Sequence, residues 1–165
     1  MKNTVRTTWT SLLAALIGGL AFNTPTLADI QSDDVEQGRQ MIREGRLELV
    51  RTEIRLTDEE AAAFWPLYKT YRAETDAIQD RYAAMITEYI RRYDNAELTD
   101  EYADELIDTF ISIKFELLEV QKKYLPDFRA VLPSLKVARL FQLENKLNAE
   151  IDAQMALVVP LVDPS

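Results

Sequence analysis

The sequence predicts an all-α fold: four helices built around a long central antiparallel helical hairpin. Three observations lead there. All four glycines lie at or before Gly45, so 120 consecutive residues contain none, whereas tight β-turns need residues that accept positive φ. Two threonine-led starts, Leu56-Thr57-Asp58-Glu59-Glu60 and Leu98-Thr99-Asp100-Glu101, each open an apolar series that recurs every three or four residues. The connection between the two series, Asp94 to Glu97, is short enough to make their helices antiparallel neighbours.

Residues 1–28 read as an export leader. Lys2 and Arg6 precede an apolar run from Trp9 to Phe22, Pro25 breaks it, and Thr26-Leu27-Ala28 supplies small residues for cleavage between Ala28 and Asp29. The run falls short of the ~20 residues that span a bilayer, and no cysteine follows to carry a lipid. Residues 29–156 are then a single helical domain and residues 157–165 an irregular tail.

The first helix is expected from Asp33 to Ile54, with Ser32 or Asp33 as N-cap. Its apolar positions are sparse (Val35, Ile42, Leu47, Leu49, Val50, Ile54), and Gly38 and Gly45 each cost about 1 kcal/mol of helix propensity. It is expected to be the least rigid element. The second starts at Thr57, where Glu60 at the third helical position completes a capping box. Its seam is Phe64, Tyr68, Tyr71, Thr75, Ile78, Tyr82, Met85, Tyr89 and Tyr93, with Ile86 and Ile90 beside it. Pro66 predicts a kink or break near Phe64-Trp65.

The third helix starts at Thr99. Its seam runs through Tyr102, Leu106, Phe110, Ile113, Leu117, Val120 and Tyr124, and a second stripe holds Ile107, Ile111, Leu118 and Leu125. Pro126 is a candidate bend, and Pro133 ends this helix or starts the next. The fourth helix is expected from Ser134 to about Met155, burying Val137, Leu140, Phe141, Leu147 and Ile151; Pro160 and Pro164 keep the tail from Leu157 onward out of helix.

Composition excludes much chemistry. With no histidine and no cysteine there is no Ser-His-Asp triad, no thiolate nucleophile, no disulfide and no ordinary zinc or di-iron site. We expect no catalytic residue, no cofactor and no metal ligand. After leader removal, 17 basic residues stand against 28 acidic ones, a net charge of −11. Non-specific binding to nucleic acid or anionic lipid is therefore not expected, nor is membrane insertion of the processed chain.

The repeated Leu-Thr-Asp-Glu at Leu56 and Leu98 resembles the two Leu-Thr-x-x-Gln motifs that open helices in the Spy/CpxP-like family of bacterial periplasmic proteins. Phe64-Trp65-Pro66-Leu67-Tyr68 and the stretch Val131 to Lys146 look like segments of one branch of that family. The resemblance spans Leu47 to Ile151. It implies a periplasmic location and an antiparallel, cradle-shaped dimer. Its relatives include an ATP-independent chaperone for partly unfolded envelope proteins, an inhibitor of an envelope-stress sensor kinase, and zinc-responsive proteins that rely on histidine. Two departures stand out: Glu60 and Tyr102 occupy the positions of the family's glutamines, and the chain is acidic where founding members present a basic concave surface.

Several residue groups are candidates for a client or dimer surface. Tyr68, Tyr71, Tyr82, Tyr89 and Tyr93 can form an amphipathic platform, or the packing seam of the hairpin or a dimer. Arg91 and Arg92 close the second helix beside Tyr93, where the helix dipole alone accounts for them; if the chain has a contact point for an acidic partner, the hairpin tip is the first place to look. Ile107 and Ile111 belong to the stripe that the hairpin cannot cover by itself, which predicts a dimer. Asp100, Glu101, Asp104, Glu105 and Asp108 read as a solvated acidic face at a helix start, with a hard cation as the alternative. Residues 94–119 carry nine acids and one base, while residues 120–165 carry five acids and six bases. The function expected is binding, not catalysis: a chaperone or stress modulator for partly unfolded proteins, or an adaptor for one folded partner such as a sensor kinase domain.

Overall fold

The computed structural model describes residues 32–163, with side chains from residue 40 onward; the expected leader and its Ala28–Asp29 cleavage site lie outside them. Among the described residues there are four helices and no strand. They are α1 (Ser32–Ile54), α2 (Asp58–Asp94), α3 (Asp100–Val131) and α4 (Ser134–Val158). The chain divides into two compact units between Glu53 and Ile54.

The first unit is described through α1. The two cap candidates, Ser32 and Asp33, both fall within the helix, and their side chains lie outside the described ones. Arg46 and Val50 are buried, while Met41, Ile42 and Leu47 are exposed; the expected apolar series is therefore only partly a core face.

The second unit begins with a short link to α2, in which Arg55 takes φ 53°. Thr57 then caps α2 as the sequence predicts. The Glu60 amide donates to Thr57 Oγ1 (3.3 Å), and the Thr57 amide donates to Glu60 Oε2 (2.8 Å). Lys136 from α4 donates to the same carboxylate oxygen and to the Arg55 carbonyl (2.9 Å). The box thus also fastens the start of α4. The Lys136 bond is the largest cause of a Glu60 carboxyl held below its ordinary range.

The break expected at Pro66 is absent, and α2 runs unbroken for 37 residues. Proline lacks the amide that would reach the Ala62 carbonyl, but Ala62 and Pro66 are both exposed, so water can take that acceptor. On the opposite face Phe64 and Tyr68 are buried and hold the helix in register. Pro126 is likewise exposed within a continuous α3. Pro133 is the residue immediately before α4, with no side-chain cap.

The hairpin turn closes with the Glu97 amide on the Arg92 carbonyl (2.8 Å) and the Ala96 amide on the Tyr93 carbonyl (3.1 Å), the pairing of a Schellman end. Ala96 holds the left-handed position at φ 54°. Thr99 caps α3 through the Tyr102 amide (3.2 Å), with no reciprocal bond because Tyr102 has no carboxylate to return.

Aromatic rings form the core where α2, α3 and α4 meet. Phe64 stacks on Tyr68 at 5.2 Å, and Phe128 lies 5.5 Å from Tyr71, 5.9 Å from Phe64 and 6.1 Å from Phe141. On α4, Val137, Leu140 and Leu147 are buried as expected, while Phe141 and Ile151 are half-buried. α4 runs to Val158, so Leu157 and Val158, expected in the irregular tail, are helical. The extended segment that follows is held by the Tyr89 hydroxyl, which donates to the Pro160 carbonyl (2.8 Å).

Candidate functional site

The tyrosines separate by position along α2. Tyr68, Tyr71 and Tyr89 are buried, so they belong to the packing seam and offer no platform to a client. The reason is their spacing: each falls on the α2 face turned toward α3 and α4, and Tyr71 meets Tyr124 edge-on at 5.6 Å. Tyr82 is half-buried beside Phe110 (6.2 Å), with the Lys114 ammonium 4.8 Å above its ring. Tyr93 keeps some exposure at the tip.

Arg91 and Arg92 are both engaged within the chain. Arg91 pairs with Glu88 (2.8 Å) and Glu97 (2.7 Å), and Arg92 pairs with Glu88 (2.7 Å) while its guanidinium lies 4.2 Å over the Tyr102 ring. These bonds pull the Glu88 carboxyl down to about 2. The tip is a closed latch across the turn, and its cations are committed to carboxylates already present.

A polar cluster that the sequence did not suggest lies inside the second unit. Glu144 on α4 is only 2% exposed. Its Oε1 accepts the Tyr68 hydroxyl (2.6 Å), and its Oε2 accepts Arg72 Nη1 (3.1 Å). Arg72 also reaches Asp76 and Gln79, and Gln79 donates to Asn148 on α4 (3.4 Å). Burial disfavours the Arg72 charge, yet Glu144 and Asp76 outweigh it and raise its pKa. Each Glu144 oxygen has a donor, so the carboxylate serves as a clamp between α2 and α4. The spacing of Arg72 and Asp76 was visible in sequence; that Glu144 sits among apolar neighbours at Leu140, Leu143 and Leu147 was the available signal for burial.

The remaining candidate is the outer face of α3. Ile107, Ile111, Phe115 and Leu118 succeed one another at spacings of four, four and three residues, which aligns them in one row. They are 55–61% exposed. Phe110, on the margin toward Tyr82, is also exposed. Ile107 and Ile111 thus lie, together with Leu118, on a stripe that the hairpin leaves uncovered. Leu125 is half-buried. Phe115 was missed, though its distance from Ile111 and Leu118 marks it as a member of the row.

One margin of the row is acidic. Glu101, Glu105, Asp108 and Glu119 are exposed along it, and Asp104 and Lys122 continue the row at its two ends. Lys122 has Glu119 at 3.6 Å. The opposite margin is tied to α4 through Lys114 and Asp152 (3.1 Å). Among the described residues no group of three or more carboxylates is arranged to hold a metal ion, and no helix is long and apolar enough to cross a membrane.

Compared with protein-family models, curated proteins and solved structures, the chain has no match in any of the three.

Proposed function

We propose that this chain is an exported, non-enzymatic binding protein of the Spy/CpxP kind that holds partly unfolded envelope proteins without ATP. The observation that carries the reading is the α3 row. Four large apolar side chains stand more than half exposed in one line, on a helix whose opposite face is packed into the core through Ile113, Tyr124 and Phe128. Soluble chains rarely keep such a strip without a use for it. A row of this width gives shallow contacts, which suits a partner that must be released in order to fold. The resemblance in the capping motifs and the leader-like N-terminus support the location.

The test is aggregation of a chemically unfolded model protein, followed by light scattering, with increasing amounts of the purified chain. Suppression near equimolar ratio, lost on Ile111→Ser with Phe115→Ser, supports the reading. No suppression at several-fold excess sinks it. A pull-down from envelope extract then separates a chaperone, which captures many proteins, from an adaptor, which captures one in fixed ratio.

A second reading rests on the same exposed row: two copies covering each other's strip as a cradle-shaped homodimer. The mass in solution at tens of micromolar decides this, a dimer mass favouring self-association and a monomer mass leaving the row for clients.

A further inference from the structure

From the charge along the α3 row, we infer that its partner is a cationic amphipathic segment: apolar residues on one face, lysines or arginines along the adjoining edge. This inference rests on the row being the binding surface proposed above and adds the chemistry of what it takes.

The argument starts from the edges of the row. Along one side run Glu101, Glu105, Asp108 and Glu119, all exposed, and Asp104 stands in line with the row itself. The basic residues near this side are already paired: Lys122 has Glu119 at 3.6 Å, Lys123 has Glu74 of α2 at 2.7 Å, and Arg81 of α2 is bound to Glu116. The apolar contact thus carries a one-sided negative border. A segment that lays its apolar face on Ile107, Ile111, Phe115 and Leu118 must bring its own edge against that border. Basic residues there gain attraction at short range and faster encounter, whereas acidic residues are repelled.

The same border discriminates against a second copy of this chain. In an antiparallel pair centred on the row, Ile111 of one copy faces Phe115 of the other, and Asp108 comes beside Glu119. That like-charge contact occurs twice by symmetry. Asp104 against Lys122 offsets part of it. Self-pairing should therefore strengthen with salt, while a cationic partner should weaken with salt.

The experiment uses two synthetic helical peptides of about 18 residues, long enough for five turns. Both carry leucines on one face; one has lysines along the edge, and its twin has glutamates there. Binding to the purified protein is read by fluorescence anisotropy between about 50 mM and about 300 mM NaCl, a range over which the screening length falls about 2.4-fold. The lysine peptide is expected to bind at least about tenfold more tightly than its twin at the lower salt, with the gap narrowing at the higher. Asp108→Asn with Glu119→Gln should shrink that gap with an unchanged melting curve. Ile111→Ser should weaken both peptides.

Equal affinities, or tighter binding of the glutamate peptide, overturn the inference. So does sedimentation showing that a salt-strengthened dimer occupies the row and excludes both peptides. If neither peptide binds but aggregation is still suppressed, the inference fails while the holding function survives on another surface. If the lysine peptide binds with the expected salt dependence and no aggregation is suppressed, the inference stands and the holding function falls.

Discussion

At Glu144 two donors from α2, the Tyr68 hydroxyl and the Arg72 guanidinium, converge on one buried carboxylate. Removing that acceptor leaves Arg72 with a charge in a partly desolvated place. Glu144→Ala should therefore lower unfolding free energy by about 3 kcal/mol, the usual loss when one partner of a buried pair is deleted. Tyr68→Phe keeps the ring stacked on Phe64 and removes a single charge-assisted bond, for a loss of about 1.5 kcal/mol. Urea melts of the two variants check the ranking; equal losses would show that the charge plays no separate part. Three half-buried carboxylates predict a pH dependence. Glu60 is lowered chiefly by Lys136, Glu74 by Lys123 and then Tyr124, and Glu88 by Arg91 and then Arg92 to about 2. A carboxylate that titrates lower folded than unfolded stabilises the fold fully above its unfolded value of about 4.5. That stability is lost as pH falls through the folded values. The urea midpoint should be flat from about pH 7 to about pH 5 and fall below about 4.5, and Glu88→Gln should flatten the lowest part of the decline.

Each helix boundary that a side chain enforces was legible in the sequence. Thr57 and Thr99 cap where threonine followed by acids says they should, because a cap is a local chemical event. A break at Pro66, the stronger of the two outcomes its place in the pattern predicts, does not occur. A helix tolerates an interior proline when the freed carbonyl faces water and the opposite face is packed, and which face a proline occupies depends on the partner helix. The glycine argument holds for the fold class and fails at two positions. Arg55 and Ala96 both take positive φ, where a side chain costs about 1 kcal/mol. A Schellman end favours glycine at the place Ala96 holds. Ala96→Gly should accordingly raise stability by roughly 0.5 kcal/mol, the relief of left-handed strain less the added freedom of the unfolded chain. A higher urea midpoint with unchanged slope is the expected result. A lower midpoint would mean that the alanine methyl makes a compensating contact at the turn.

Across the whole molecule, the residues that hold the fold and those that offer a surface lie on different faces of the same helix. On α3, Ile113, Tyr124 and Phe128 are buried, whereas Ile107, Ile111, Phe115 and Leu118 are exposed. Periodicity revealed that α3 carries more apolar surface than one neighbour can cover, and so located the row. It did not show that Tyr68, Tyr71 and Tyr89 lie inward, because a tyrosine's spacing is the same for a seam and a platform, and only the position of α3 and α4 decides. Nor did it find Phe128 or Glu144, whose burial depends on the aromatic cluster and the Arg72 clamp. This division of faces gives a separable prediction. Ile111→Ser with Phe115→Ser removes two large groups that contribute little to packing, and exposed substitutions away from caps and clamps usually change stability by no more than about 0.5 kcal/mol. The double variant should thus melt within that margin of the wild type while losing its ability to suppress aggregation. Phe128→Ala should do the reverse in kind, opening a cavity among Phe64, Tyr71 and Phe141 and costing about 3–5 kcal/mol. Melting curves and light scattering on the same samples test the pair. A serine variant that loses stability in proportion to its holding activity would mean that the row is packed in solution, and that a second copy covers it.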